Sequence, residues 1–138
     1  PKDTGGSFFE IDEQLGPRAH DPDGPWEPAG PDWKAGQVLD RVDGIAAAEL
    51  QCDDPDAVAR RWSEIAQIPL TETGGNPTLA LDNARLRFVA CSDGRPEGLG
   101  GIDISTTDKA AILREAETRG LVTGTDQILL CGMRINLL

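Results

Sequence analysis

Glu49-Leu50-Gln51-Cys52-Asp53-Asp54-Pro55-Asp56-Ala57-Val58-Ala59-Arg60-Arg61-Trp62 runs from a strand into a helix within fourteen residues, and the chain repeats the junction later. Asp54 can cap the exposed amides of a helix whose first position is Pro55, and Asp56 adds a carboxylate where the first turn favours negative charge. Val58, Trp62 and Ile65 follow at i, i+4 and i+7 and predict one apolar stripe, closed by Pro69. A shift of 54 lays Glu49-Leu50-Gln51 over Asp103-Ile104-Ser105, Asp54 over Asp108, Ala57-Val58 over Ala111-Ile112 and Arg60 over Arg114. A shift of 49 lays the segment 79–88 over 128–137. The five-residue difference is a shorter loop in the second copy, and self-similarity of this kind marks an internal duplication.

The second helix is expected to start near Thr107 or Asp108, to bury some of Ala110, Leu113 and Ala116, and to stop at Gly120, which suits a left-handed cap. A hairpin follows each helix, with Asp82-Asn83 or Cys131-Gly132 at the turn, since Asn and Gly tolerate positive φ. Alternation along the strands sorts their faces. Ala46, Ala48, Leu50, Ile102 and Ile104 of the leading strands, with Leu86, Phe88, Ile135 and Leu137 of the closing strands, form the apolar set that should meet the helices. Glu49, Gln51, Asp103 and Ser105, with Arg85, Arg87, Arg134 and Asn136, share the opposite face.

Upstream the character changes. Residues 1–15 contain one strand-like stretch, Gly6-Ser7-Phe8-Phe9-Glu10-Ile11-Asp12, and residues 16–41 form a linker or long loop. Pro17, Pro22, Pro25, Pro28 and Pro31, with four glycines, preclude a helix or central strand there. Trp26 and Trp33 predict that the loop is pinned to a surface, because large aromatics bury area where they can.

With 24 acidic against 13 basic residues the net charge is −11, which repels phosphate backbones, and nucleic acid is not an expected partner. The longest apolar runs fall far short of the roughly 20 residues of a membrane helix, so the chain reads as soluble and cytoplasmic, with no membrane partner. Cys52, Cys91 and Cys131 form no CxxC and read as free thiols, and the sole histidine, His20, stands in the Pro/Gly-rich loop as the only imidazole base.

The duplicated unit, with Asp54-Pro55-Asp56-Ala57-Val58-Ala59-Arg60-Arg61-Trp62 after a strand, resembles the βαβββ modules of the vicinal-oxygen-chelate superfamily, the glyoxalase, bleomycin-resistance and extradiol-dioxygenase group. The resemblance covers residues 42–138, as modules of about 42–92 and 99–138. It implies an α+β fold in which paired modules form an open, mostly antiparallel, barrel-like sheet with helices on the outer face and a site in the concavity. A ferredoxin-like α+β sandwich is the structural alternative. The family's metal-ligand positions fall on Ala47, Arg87, Gly101 and Asn136, a set unsuited to a divalent metal. No cofactor is therefore expected in residues 42–138, and a divalent metal only with ligands supplied from outside this chain. Residues 5–12 resemble the closing strand of a preceding module, with Glu10 at the family's carboxylate-ligand position and His20 a weaker companion.

Three functions follow. In the first, Glu49, Gln51, Arg85, Arg87, Asp103, Arg134 and Asn136 line a non-metal site for an anionic or carbonyl-bearing small molecule, or the acids and arginines neutralise one another in a structural network. In the second, the chain is a glyoxalase-like lyase, isomerase or dioxygenase with Glu49 or Asp103 as base, its metal completed by a preceding domain or partner chain. In the third, it is an accessory half that supports a catalytic neighbour or pairs as a homodimer.

Overall fold

The computed structural model describes residues 3–138, with nothing to be said of the Glu27 side chain. The described chain divides into two compact units, one running to Phe9 and resuming over Asp40–Leu138, the other Glu10–Leu39. The first differs from the boundary expected at residue 42 by taking in the N-terminal residues.

In the larger unit the duplication is plain. The first module comprises β1 (Val42–Cys52), α1 (Pro55–Ala66), β2 (Leu70–Thr73), β3 (Asn76–Ala80) and β4 (Arg85–Ala90). The second comprises β5 (Gly98–Thr106), α2 (Lys109–Thr118), β6 (Val122–Gly124), β7 (Gln127–Leu130) and β8 (Met133–Leu137). Both are βαβββ, and they join into one eight-stranded sheet of order β2-β3-β4-β1-β5-β8-β7-β6. β1 with β4 and β5 with β8 are parallel, and the other five neighbour pairs are antiparallel. The sheet is open and α+β, as the resemblance implies. It does not close into a barrel.

The register carries the same arithmetic as the sequence. Ala47 faces Asp103 and Glu49 faces Gly101; a shift of 54 turns one pair into the other. Glu49 faces Arg87 and Asp103 faces Asn136, while Ala47 faces Arg85 and Gly101 faces Arg134. The modules are thus related by a pseudo-two-fold between β1 and β5.

Each helix starts where an aspartate caps it: Asp54 accepts from the Ala57 amide at 2.9 Å, and Asp108 from the Ala111 amide at 3.0 Å. Asp54 is followed by Pro55 at the first helical position, whose missing N–H removes a donor that would otherwise need a partner. α1 ends at Gln67, itself left-handed at φ 59°, two residues before Pro69. α2 ends at Arg119, with Gly120 at φ +67° turning the chain away. The apolar faces pack as two cores. Val58, Ala59 and Trp62 of α1 meet Leu50, Cys52, Leu79 and Phe88, whereas Ala116, Ile112 and Leu113 of α2 meet Ile128, Ile135 and Leu137. Ala110, expected inside, is exposed, and Ile112 takes the place. Burying a Trp or Phe of this kind contributes about 1.5–3 kcal/mol each.

The turns differ between copies. Cys131 and Gly132 both adopt positive φ, 51° and 78°, as a two-residue hairpin with the sheet's twist demands. Asp82 and Asn83 do not; that loop closes instead by the Leu81 amide donating to the Ala84 carbonyl at 2.9 Å.

The strand expected over Gly6–Asp12 does not form; residues 1 and 2 of the 1–15 segment lie outside the described ones. Asp3–Gly6 turn, and residues 7–15 have no strand pairing. The Thr4 carbonyl accepts from Trp62 Nε1 at 3.1 Å, and the Phe9 ring lies 4.7 Å from that of Trp62. Gly5 and Gly6 both have positive φ, and a Cβ on Gly6 would stand 2.6 Å from the Glu97 carbonyl oxygen. The glycines let this segment bend against α1, where Phe9 is half-buried.

The unit of residues 10–39 holds two 3-10 helices, Glu27–Ala29 and Trp33–Gly36. Within it Trp33 Nε1 donates to the Gly24 carbonyl at 3.0 Å, and Lys34 Nζ stands 5.5 Å above the Trp33 ring. Arg18 bonds Asp21 at 2.7 Å. The loop is therefore ordered by its own contacts. Among the described residues no helix is long and apolar enough to cross a membrane.

Candidate charged face of the sheet

Opposite the helices, the strands present two rows of residues that the pseudo-two-fold exchanges. One runs Ala80, Arg85, Ala47, Asp103, Asn136, Gln127 across β3, β4, β1, β5, β8 and β7. The other runs Thr78, Arg87, Glu49, Gly101, Arg134, Leu129. Six of the residues expected to share a face from strand alternation join one hydrogen-bonded network. Arg85 does not.

Arg87 sits at its centre. Its guanidinium grips both oxygens of Asp103, one bond measuring 2.8 Å, and reaches Glu49 Oε2 at 3.1 Å. Arg134 holds Glu49 Oε1 from the other side at 2.7 and 3.1 Å. Asn136 donates to Asp103 Oδ1 at 2.7 Å and is itself fixed by Gln127 at 2.8 Å. These groups are largely withdrawn from water: the side chains of Arg87 and Arg134 are 15% exposed, Glu49 12% and Asp103 6%. Planar, bidentate arginine–carboxylate contacts are the strong class of ion pair, and burial makes their loss costly.

Sequence alternation missed two members, because they lie on the loop between modules. Asp93 accepts from Arg95 Nε at 2.9 Å and pairs with Arg134. Arg95 also donates to the Gly100 carbonyl at 2.9 Å. Gln51, 1% exposed, ties the loop down from beneath, donating to the Pro96 carbonyl at 2.9 Å and to Asp93 at 3.2 Å while accepting from Arg134 at 3.1 Å. The Asp93-Gly94 pair was the available signal, a turn dipeptide with Gly94 at φ +79°. Among the described residues every buried side-chain nitrogen and oxygen has a partner.

The electrostatics follow from these contacts. Burial alone would raise the Asp103 carboxyl, but the bonds from Arg87 and Asn136 outweigh it and hold the group below its ordinary value. Asp93 is held well below its usual range, first by Arg95. Arg87 is pushed further up by Asp103 against the opposing effect of burial. A carboxylate stabilised in its charged form is a weaker proton acceptor, so Asp103 is poorly suited as a general base.

The positions to which the resemblance assigns metal ligands do not offer donors for a divalent ion here. Ala47 and Gly101 have no donor atom, Asn136 is committed to Asp103, and at the fourth position stands the cation Arg87, engaged with two carboxylates. Among the described residues no group of three or more His, Cys, Asp or Glu side chains could hold a metal ion. Glu10 stands in the other unit and on no strand, so the presentation expected of it is absent. There it lines an open cavity of about 920 Å³ with Asp12, Glu13, His20 and Trp26.

No family model matches the chain, and no curated protein matches it significantly. Solved structures do. A methylmalonyl-CoA epimerase from Mycobacterium tuberculosis superposes with a TM-score of 0.54 at 15% identity, over 73% of this chain and 90% of that one. A hypothetical protein from Bacillus halodurans C-125 gives 0.49 at 10% identity, over 68% and 91%. A Streptomyces coelicolor methylmalonyl-CoA epimerase in complex with 2-nitronate-propionyl-CoA gives 0.44 at 13%, over 72% and 96%. At these identities the likeness is one of fold alone, and the first carries it.

Proposed function

We propose that the chain is a vicinal-oxygen-chelate domain that has lost metal chemistry on its own sheet and serves as an accessory half, paired with a preceding domain of the same kind or with a second copy of itself. The observation that carries the reading is Arg87. A guanidinium at a ligand position, bonded to the two acids nearest it, puts a fixed positive charge where a metal would need negative donors. The network then holds β4, β1, β5 and β8 together through side chains as well as backbone, which suits a scaffold.

The methylmalonyl-CoA epimerase likeness supports the superfamily and not the reaction, because fold and chemistry separate readily. The test is equilibrium dialysis of the chain against zinc, manganese and magnesium with elemental analysis, alongside sedimentation at increasing concentration. The expected result is no stoichiometric divalent ion and self-association that rises with concentration, or association with an added neighbouring domain. About one tightly held ion per chain, released when Glu49 is changed to Gln, would overturn the reading in favour of a metal-dependent lyase, isomerase or dioxygenase. A strict monomer that binds no such neighbour would remove the accessory role.

A further inference from the structure

The pseudo-two-fold makes the sheet its own comparison structure. Arg134 and Arg85 are images of each other: each closes a row beside a small residue of a leading strand, Gly101 for Arg134 and Ala47 for Arg85. Their surroundings differ. Arg134 bonds Glu49 and, at its outer side, the carboxylate of Asp93. The acid related to Glu49 is Asp103, but its oxygens are already taken by Arg87 and Asn136. Arg85 is close enough to lower the Asp103 carboxyl electrostatically, yet among the described residues no side-chain or backbone acceptor bonds its guanidinium.

Charge counting points the same way. Arg87, Arg95 and Arg134 face Glu49, Asp93 and Asp103, three against three, which leaves Arg85 as the surplus cation of this face. It is exposed in a chain of net charge −11. Ala47, its neighbour on β1, is buried, but Ala80 on its other side and Gly44, opposite Ser105, are exposed, and a Cβ placed on Gly44 would touch nothing. Ser105 follows Asp103 on the same face of β5, and its hydroxyl makes no hydrogen bond among the described residues.

We propose that Arg85, with the Ser105 hydroxyl on the same face of the sheet across β1, is a binding site for a compact oxyanion, a carboxylate or a phosphate, and that Asp93 on Arg134 shows the kind of group it receives. The planar fork of arginine matches both anions, and Ser105 supplies a further donor. The site is shallow, so the affinity is that of a partly solvated pair, with a dissociation constant on the order of millimolar. It does not depend on the accessory role, which dialysis and sedimentation test separately.

The experiment is titration of the full chain with sodium phosphate and, separately, sodium acetate, followed by amide chemical shifts, with sodium chloride at matched ionic strength as control. Saturable shifts centred on Ala47, Arg85 and Ser105 are expected, with binding at least about tenfold weaker in Arg85→Gln. Arg85→Lys should keep part of the affinity, and the tighter of the two anions identifies the ligand class. In Asp93→Ala a second saturable set should appear around Arg95 and Arg134, where the intramolecular carboxylate has been removed. Shifts that follow ionic strength alone, or that survive Arg85→Gln unchanged, would overturn the proposal. So would a single site in the unaltered chain centred on Arg134.

Discussion

Replacing Arg87 with Met should destabilise the larger unit by about 2–4 kcal/mol at neutral pH. Arg87 makes two bonds to Asp103 and one to Glu49. Glu49 keeps its two bonds from Arg134 when the guanidinium goes, but Asp103 keeps only Asn136. The cost therefore falls on one carboxylate that is 6% exposed. Removing one partner of a buried pair costs about 3–5 kcal/mol, and the remaining amide bond and a slight opening to water reduce that. Urea unfolding followed by circular dichroism reads the change. With a slope of about 1.5–2 kcal/mol per molar, the midpoint should fall by about 1–3 M. The pH dependence is the sharper test. In the unaltered chain the folded-state pKa of Asp103 is lowered, so its contribution is complete above the unfolded value of about 3.9 and is lost as pH falls through the folded value. Without Arg87, burial, the largest single effect on this carboxyl, should lift the folded value above the unfolded one. The variant then loses stability as pH climbs through that range. The gap between the two proteins should be widest near neutrality and should narrow toward about pH 4. Adding Asp103→Asn to the Met variant should recover most of the loss. A deficit under about 1 kcal/mol, or one of equal size at both pH values, would refute the reasoning.

Other perturbations read other parts of the fold. Gly101→Ala would place a Cβ 2.8 Å from the Arg134 carbonyl oxygen, so the β5–β8 backbone must shift; a loss of about 1–3 kcal/mol in urea is expected. Asp54→Ala and Asp108→Ala should each cost about 1 kcal/mol, and similar losses from the two would show that the duplicated caps carry similar weight. Burial first, and neighbouring acids after it, push the Cys52 thiol up to about 12, so native protein should label with iodoacetamide at the exposed Cys131 and leave Cys52 untouched until urea unfolds the chain. Early labelling of Cys52 would place it outside the core.

The repeat was legible because it is written in the backbone's own rules. Caps, strand alternation and the two shifts each follow from local chemistry, and the ladder from Ala47–Arg85 to Ile104–Leu137 reproduces them pair by pair. What failed was tertiary. The segment from Gly6 to Asp12 reads as a strand, yet the chain turns at Gly5 and Gly6 and sets Phe9 against Trp62 instead. Asn83 has the chemistry for positive φ and does not use it, since the Leu81–Ala84 bond closes its loop without it. Asp93 and Arg95 belong to no periodic element, so no pattern could assign them a face.

The two small residues on the leading strands join the metal argument to the network. Arg87 stands on β4 and Asp103 on β5, with β1 between them, so their side chains must meet above β1, whose strands lie about 4.8 Å from each neighbour. In the Asp103 row the residue of β1 is Ala47, fully buried although it lies on the polar face. A His, Gln or Glu there would rise into the path of the guanidinium. Gly101 does the same for the other row, where a Cβ would come 3.4 Å from Glu49 Oε1 and crowd the Arg134 backbone. The absence of ligand atoms at 47 and 101 and the presence of arginines at 87 and 134 are thus one arrangement. Restoring a ligand at Ala47 alone, as Ala47→His, should break the Arg87–Asp103 pair and destabilise the unit by an amount comparable to Arg87→Met, about 2–4 kcal/mol, without creating a metal site. Unchanged stability in that variant would show that the guanidinium does not need the space above β1.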